Sequence, residues 1–289
     1  MPLSNSSSLL ARTSGSPGVR TAASNASGAS QQQQQQQQQQ HGRVYLITGS
    51  TDGIGKHTAT KLAQAGATVL VHGRSKERVE RTVASLRQAA GDGSSSSVQG
   101  YTADLSSLAG VRQLAAAVRA DHPRLYALVN NAGVYETQQR LSADGFEATW
   151  AVNVLAPFLL TSLLWQSVEG CIINTASISA ASSIDMANLQ QERGYSAHDA
   201  YATSKLCNIV FTLKLADFLK QRGSPVTVNA LDPGTVNTKM LLAGWGRIGI
   251  DVTSADNTYR LATDPALAGV TGGYFVSHRK SRWAAACVC

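Results

Sequence analysis

With 289 residues and 43% hydrophobic content, the chain can bury a full core, and its length suits one α/β domain. A formal net charge of +7 invites a nucleic-acid reading, but the basic residues are scattered, Arg12 and Arg20 lie in a terminal tail, and no aromatic–basic array accompanies them, which excludes a nucleic-acid partner. Four cysteines without metal-ligand spacing exclude a metal site and a disulfide framework, so a reducing compartment, cytoplasmic by default, is expected.

Residues 1–42 are rich in Ser, Ala and Gln, contain no Asp or Glu, and include an unbroken glutamine run at 31–40. Such a stretch cannot bury enough apolar surface to offset its ordering entropy, so it reads as a disordered tail with the folded domain starting near Arg43. Its acid-free composition also fits an organelle transit peptide, plastid or mitochondrial, although it lacks an amphipathic Arg-bearing helix.

From Val44 onward, short apolar runs alternate with helical periods. Strands are expected at 44–48, 68–72, 98–101, 126–130, 171–175 and 226–230, with 274–276 closing the sheet edge. Helices are expected at 54–65, 77–89, 108–120, 144–164 (kinked at Pro157) and 199–220, and a Gly/Ser loop at 91–97. The apolar stretch 151–165, interrupted by Asn153 and Pro157, is too short to predict a membrane span. Cys171 falls in a strand and Cys207 on a helix, both expected to be inert small hydrophobes. Continuous apolar strands alternating with amphipathic helices predict a single doubly wound Rossmann-type domain, α/β with a central parallel sheet flanked by helices. In that fold ligands bind at the carboxyl ends of the strands.

Four segments lie at those ends. Gly49, Gly53 and Gly55 fall between the first strand and its helix, where the missing Cβ atoms permit a tight turn and close approach of a pyrophosphate to the helix N-terminus. Asn131 follows the fourth strand within Asn-Asn-Ala-Gly, and Ser177 ends the fifth. Tyr201 and Lys205, four residues apart, share one helix face. An ammonium beside a phenol favours the phenolate, moving a group of intrinsic pKa about 10 toward use near neutral pH.

The order T-G-x3-G-x-G, N-N-A-G, Asn, Ser, Y-x3-K and P-G across 48–234 resembles the short-chain dehydrogenase/reductase superfamily, and within it the retinol dehydrogenase and WW-domain oxidoreductase-like branch. The resemblance implies Asn153, Ser177, Tyr201 and Lys205 as catalytic residues. It implies cofactor contacts from Gly49, Ser50, Asp52, Gly53, Ile54, Gly55, Arg74, Asp104, Leu105, Asn131, Tyr201, Lys205, Pro233, Gly234 and Thr235, and from Thr238 toward carboxamide or phosphate.

Arg74 at the end of the second strand, with Lys76 and no acid before Glu77, suits a 2′-phosphate, so NADP(H) is the expected cofactor. Asp52 runs mildly against this, as an anion beside an anion. The expected activity is hydride transfer between the nicotinamide and a lipophilic carbonyl or alcohol of retinoid, steroid or aldehyde type. A protochlorophyllide-type C=C reductase and a non-catalytic NADP-binding regulator are the alternatives. Between Ser177 and Tyr201 the chain is longer than is usual in the superfamily, which implies an extra loop (178–199) over the pocket, while 240–250 supplies apolar cover. Relatives in the superfamily commonly form homodimers through the two long helices, and this is expected here by resemblance. The basic end 277–289 departs from the family pattern, which suggests a truncated or alternative terminus.

Overall fold

The computed structural model describes residues 40–91, 97–276 and 279–281. Most of the expected tail, the middle of the Gly/Ser loop and residues 282–289 lie outside the described residues. Gln40, the last glutamine of the run, is fully buried and its side-chain oxygen accepts from the Tyr45 hydroxyl.

Seven parallel strands follow in the spatial order β3-β2-β1-β4-β5-β6-β7: β1 (Val44–Ile47), β2 (Thr68–Gly73), β3 (Val98–Thr102), β4 (Leu125–Asn130), β5 (Val168–Thr175), β6 (Thr227–Leu231) and β7 (Gly273–Val276). A two-residue strand, β8 (Arg279–Lys280), pairs antiparallel with β7 and makes the sheet mixed rather than wholly parallel. Strand order reverses between β1 and β4, which opens the crevice where a doubly wound sheet binds ligands.

The helices are α1 (Gly53–Gln64), α2 (Lys76–Ala90), α3 (Leu108–Asp121), α4 (from Ala148–Trp150 through Ala151–Leu155 to Ala156–Leu164), α5 (Ala197–Gln221), α6 (Lys239–Trp245) and α7 (Asn257–Thr263). Side-chain alternation along the strands divides the core into two layers. Leu46, Leu70, Leu128, Ile172 and Val228 face α3, α4 and α5. Tyr45, Ile47, Val69, Val71, Val129 and Ile173 face α1, α2 and α7. Truncating one such fully buried leucine, Leu128 for example, costs about 2–5 kcal/mol in comparable cores.

Helix α4 departs from expectation in three ways. It starts at Ala148, not 144, because the Glu147 carboxylate accepts from the N–H groups of Thr149 and Trp150. Its irregularity is a π turn over Ala151–Leu155, closed by Ala156 N–H on the Ala151 carbonyl, ahead of Pro157. Pro157 would press on the carbonyl four residues earlier, and the wider turn accommodates it. Finally, Ala148–Ser167 forms 20 helical residues, long and apolar enough by composition to cross a membrane, contrary to expectation; half of that window is buried inside the domain, as in a core helix.

Candidate active site

A cleft of about 970 Å³ runs along the carboxyl ends of the strands and is lined by all the flagged segments together. At one end stands the turn between β1 and α1. Gly49 and Gly53 adopt φ of +65° and +53°, conformations that suit glycine. A Cβ on Gly55 would lie 2.4 Å from the Asn131 amide, so that side chain fills the turn from behind. Asn131 donates to the Thr48 carbonyl at 2.9 Å, welding β4 to β1. The Gly49 N–H is already committed: it donates to His72 Nδ1 at 3.2 Å, while His72 Nε2 lies 3.2 Å from the Ala103 carbonyl. Burial holds His72 down at about pKa 4, so the ring is neutral with its proton on Nε2.

Ser50 does not reach the cleft. It is fully buried, its hydroxyl donates to the Ile47 carbonyl and accepts from His72 N–H, and it ties β1 to β2. Its neighbour Thr51 takes the lining position instead. Ile54, Arg74, Asp104, Leu105, Pro233, Gly234, Thr235 and Thr238 all line the cleft. Asp104 also accepts from Ser106 N–H and Oγ, closing its own turn. Thr238 caps α6 and would meet a Cβ on Gly53 at 3.2 Å.

Asp52 caps α1 by accepting from Gly53 N–H, and its other oxygen pairs with Lys239 at 2.7 Å and Arg78 at 3.2 Å. Burial pushes this carboxyl up, but the hydrogen bonds from Lys239 and Gly53 and the two cations outweigh it and hold it below its ordinary value. Arg78 and Lys239 are cleft-lining cations that sequence reasoning missed. The nearness of Arg78 in sequence to Arg74, in the first turn of α2, was a signal for the first; only the fold reveals the second.

At the other end Ser177, Tyr201 and Lys205 converge. Ser177 follows β5, and its hydroxyl hydrogen-bonds the Tyr201 phenol. Lys205 Nζ donates to the Thr175 carbonyl at 2.9 Å and stands 5.3 Å from the centre of the Tyr201 ring. The expected acidification of the phenol by this ammonium is not observed. Burial instead raises Tyr201 to about 12, with the Ser177 hydrogen bond opposing and the Asp232 charge adding to the rise. Burial lowers Lys205 to about 8, and Asp232 opposes that shift. Asp232, absent from the expected site residues, is 3% exposed, held by N–H donors of Ile178 and Gly234, and acts on both groups.

Asn153 sits in the π turn, 1% exposed, and does not line the cleft. Its amide spans both backbone groups of Val134, accepting from N–H at 2.8 Å and donating to the carbonyl at 3.0 Å, and also donates to Ser204 Oγ. A Cβ on Gly133 would lie 3.4 Å from Asn153 Oδ1 and 3.5 Å from Lys205 Nζ, so both side chains crowd the Gly133 backbone.

Apolar cover comes from α6 and its flank. Met240, Leu241, Trp245 and Ile248 line the cleft, with Trp245 packing against Tyr135 and Tyr201 at centroid distances of 4.8 and 5.6 Å. Segment 178–199 contributes only Ile178 and Ser179 to the lining. Its body packs beside 136–147, where Tyr195 donates to the Glu136 carbonyl, rather than over the pocket. Cys171 is buried in β5 with its thiol raised by burial to about 12. Cys207 on α5 is only partly buried, its thiol raised to about 11. Neither lines the cleft. No metal-binding cluster occurs among the described residues.

Residues 43–244 match the family model for short chain dehydrogenases. The chain belongs to that family. Human polyprenol dehydrogenase is 33% identical over 261 residues, covering 83% of this chain and 78% of the relative. Mouse retinol dehydrogenase 14 is 34% identical, covering 81% and 78%. Among solved structures, a blue fluorescent protein from a metagenomic library in complex with NADPH is 26% identical with a TM-score of 0.66, covering 82% of this chain and 96% of that one. A short chain dehydrogenase from Burkholderia cenocepacia in complex with NADP is 25% identical with a TM-score of 0.65, at the same coverage. This short chain dehydrogenase thus shares its fold with NADP(H)-bound relatives.

Proposed function

We propose that the protein is an NADP(H)-dependent oxidoreductase that interconverts a lipophilic carbonyl and its alcohol. The observation that carries this reading is the convergence of Ser177, Tyr201 and Lys205 at one end of a cleft whose other end is the glycine turn. The residues fit the dinucleotide. Gly49 and Gly53 hold the turn open beside the N-terminus of α1, and the cleft-lining Arg74 and Arg78 beyond β2 would meet a 2′-phosphate, Arg78 by exchanging its pair with Asp52. Lys205 and Tyr201 border the nicotinamide end. The solved relatives carrying NADPH and NADP support the same cofactor.

When bound, the cofactor supplies or accepts the hydride. Ser177 Oγ holds the substrate oxygen and Tyr201 exchanges the proton with it. The Tyr201 phenol is protonated at neutral pH and so carries the proton that carbonyl reduction requires, although burial, by raising it to about 12, makes it a weaker acid in the free protein. Lys205, anchored on the Thr175 carbonyl at the cleft floor, would hold the cofactor ribose. Trp245, Met240, Leu241 and Ile248 exclude water from the reacting centre and favour an apolar substrate. The polyprenol and retinol dehydrogenases among the relatives point to the same substrate class.

The test is a panel of polyprenyl, retinoid, steroid and aliphatic aldehydes, followed by loss of NADPH absorbance, with Tyr201→Phe as control. Turnover of a lipophilic aldehyde that disappears in the variant supports the reading. NADPH binding without turnover of any member refutes it.

A further inference from the structure

An acid stands at the very mouth through which an anionic cofactor enters. Asp52 lies between the glycine turn and α1, with its side chain 48% exposed. One oxygen accepts from Gly53 N–H and the other bridges two cations on opposite walls of the cleft: Arg78 on α2 at 3.2 Å and Lys239 on α6 at 2.7 Å. All three residues line the cleft. One oxygen held by a helix N-terminus and its neighbour flanked by two cations make up the set of contacts that a phosphate group seeks. The carboxylate satisfies it from within the chain.

We propose that Asp52 is a surrogate anion, which holds Arg78 and Lys239 at the cleft mouth and yields them to the phosphate groups of the nicotinamide dinucleotide. The inference rests on the cofactor reading above and deepens it. Lining a cofactor cleft does not make Asp52 an attractive contact: its charge opposes the incoming phosphates. In return it keeps two long side chains ordered and extended toward the place where those phosphates arrive. Binding then exchanges one set of ion pairs for another instead of collecting free lysine and arginine side chains from solution.

The informative variant is Asp52→Asn, because asparagine caps a helix as well as aspartate while removing the charge; Asp52→Ser, also a capping residue, serves if the first fails to fold. Affinities for NADPH and for 2′,5′-ADP are measured by titration calorimetry on the full chain, wild type and variant. For a partly exposed, solvent-screened charge the expected result is tightening of both by about two- to fivefold at low salt. That gain should vanish in about 0.5 M KCl, where exposed charges are screened. Weaker or unchanged binding in the variant, or a gain that persists at high salt, overturns the surrogate role. If wild type binds neither probe, the cofactor reading itself falls and this inference falls with it; if wild type binds and the variant does not tighten, only the surrogate role is lost.

Discussion

Lys205 Nζ points past the Tyr201 ring and donates to the Thr175 carbonyl, so the lysine is anchored to the end of β5 and not to the phenol it accompanies in sequence. The pair is therefore two buried groups with opposite proton demands: burial discourages the ammonium on one and the phenolate on the other.

Replacing Tyr201 with phenylalanine removes the proton donor and leaves the ring packed against Tyr135 and Trp245. Turnover should fall by about 10²–10⁴-fold while NADPH affinity stays near wild type. Steady-state kinetics with a lipophilic aldehyde, paired with a binding titration, checks this. Retained turnover would remove Tyr201 from the chemistry.

The buried pair gives a stability profile with two slopes. Lys205 is lowered from 10.5 to about 8, so between those values the unfolded chain holds a proton that the fold has released, and stability rises with pH. Tyr201 is raised from 10.0 to about 12, so across that window the fold keeps a proton that the unfolded chain loses, and stability falls. Urea midpoints at pH 8 and pH 10 should differ more in wild type than in Lys205→Met. Equal differences would mean that the lysine is not depressed.

Asn153 acts through backbone. Asn153→Ala leaves both polar groups of Val134 without their side-chain partner and should cost about 2–4 kcal/mol of stability. Chemical denaturation measures this directly. A loss below about 1 kcal/mol would show that water replaces the amide without penalty.

Arg74 stands exposed at the carboxyl end of β2 and lines the cleft. Arg74→Ala should weaken NADPH by about 10–100-fold with little effect on NADH, the signature of a lost charged hydrogen bond. Parallel titration of the two cofactors decides; equal losses would assign Arg74 to a contact that both cofactors share.

Trp245 joins α6 to the reacting end of the cleft through its contacts with Tyr135 and Tyr201. Trp245→Ala should raise KM for a bulky lipophilic aldehyde by roughly two- to tenfold, the worth of an aromatic contact, with a smaller change for a short aliphatic one. Identical shifts for both substrates would argue against a role in substrate selection.

Much of this arrangement was legible in the chain because it is local. Strand and helix periods placed β1 through β7, the glycine spacing marked the turn, and Tyr201 and Lys205 were adjacent by helical geometry alone. Ser50 points away from the cleft because it lies in the turn beyond β1, where the left-handed Gly49 breaks the alternation of the strand, and the sequence does not say which turn residue faces inward. Thr51 therefore holds the place expected of Ser50. The Asp52–Lys239 pair joins residues far apart in sequence, and the neutral His72 is fixed by Gly49 and Ala103 on two other segments. Charge and protonation at this site follow from who meets whom after folding, which neither composition nor spacing encodes.

The π turn at Ala151–Leu155 carries a consequence of its own. By accommodating one more residue than a regular turn, it swings Asn153 toward the Val134 backbone while the flanking helix keeps its apolar face on the sheet. The bracing of Val134 thus depends on a count of residues, not only on their identity. Shortening this turn by a single position would redirect an amide whose chemistry had not been altered at all.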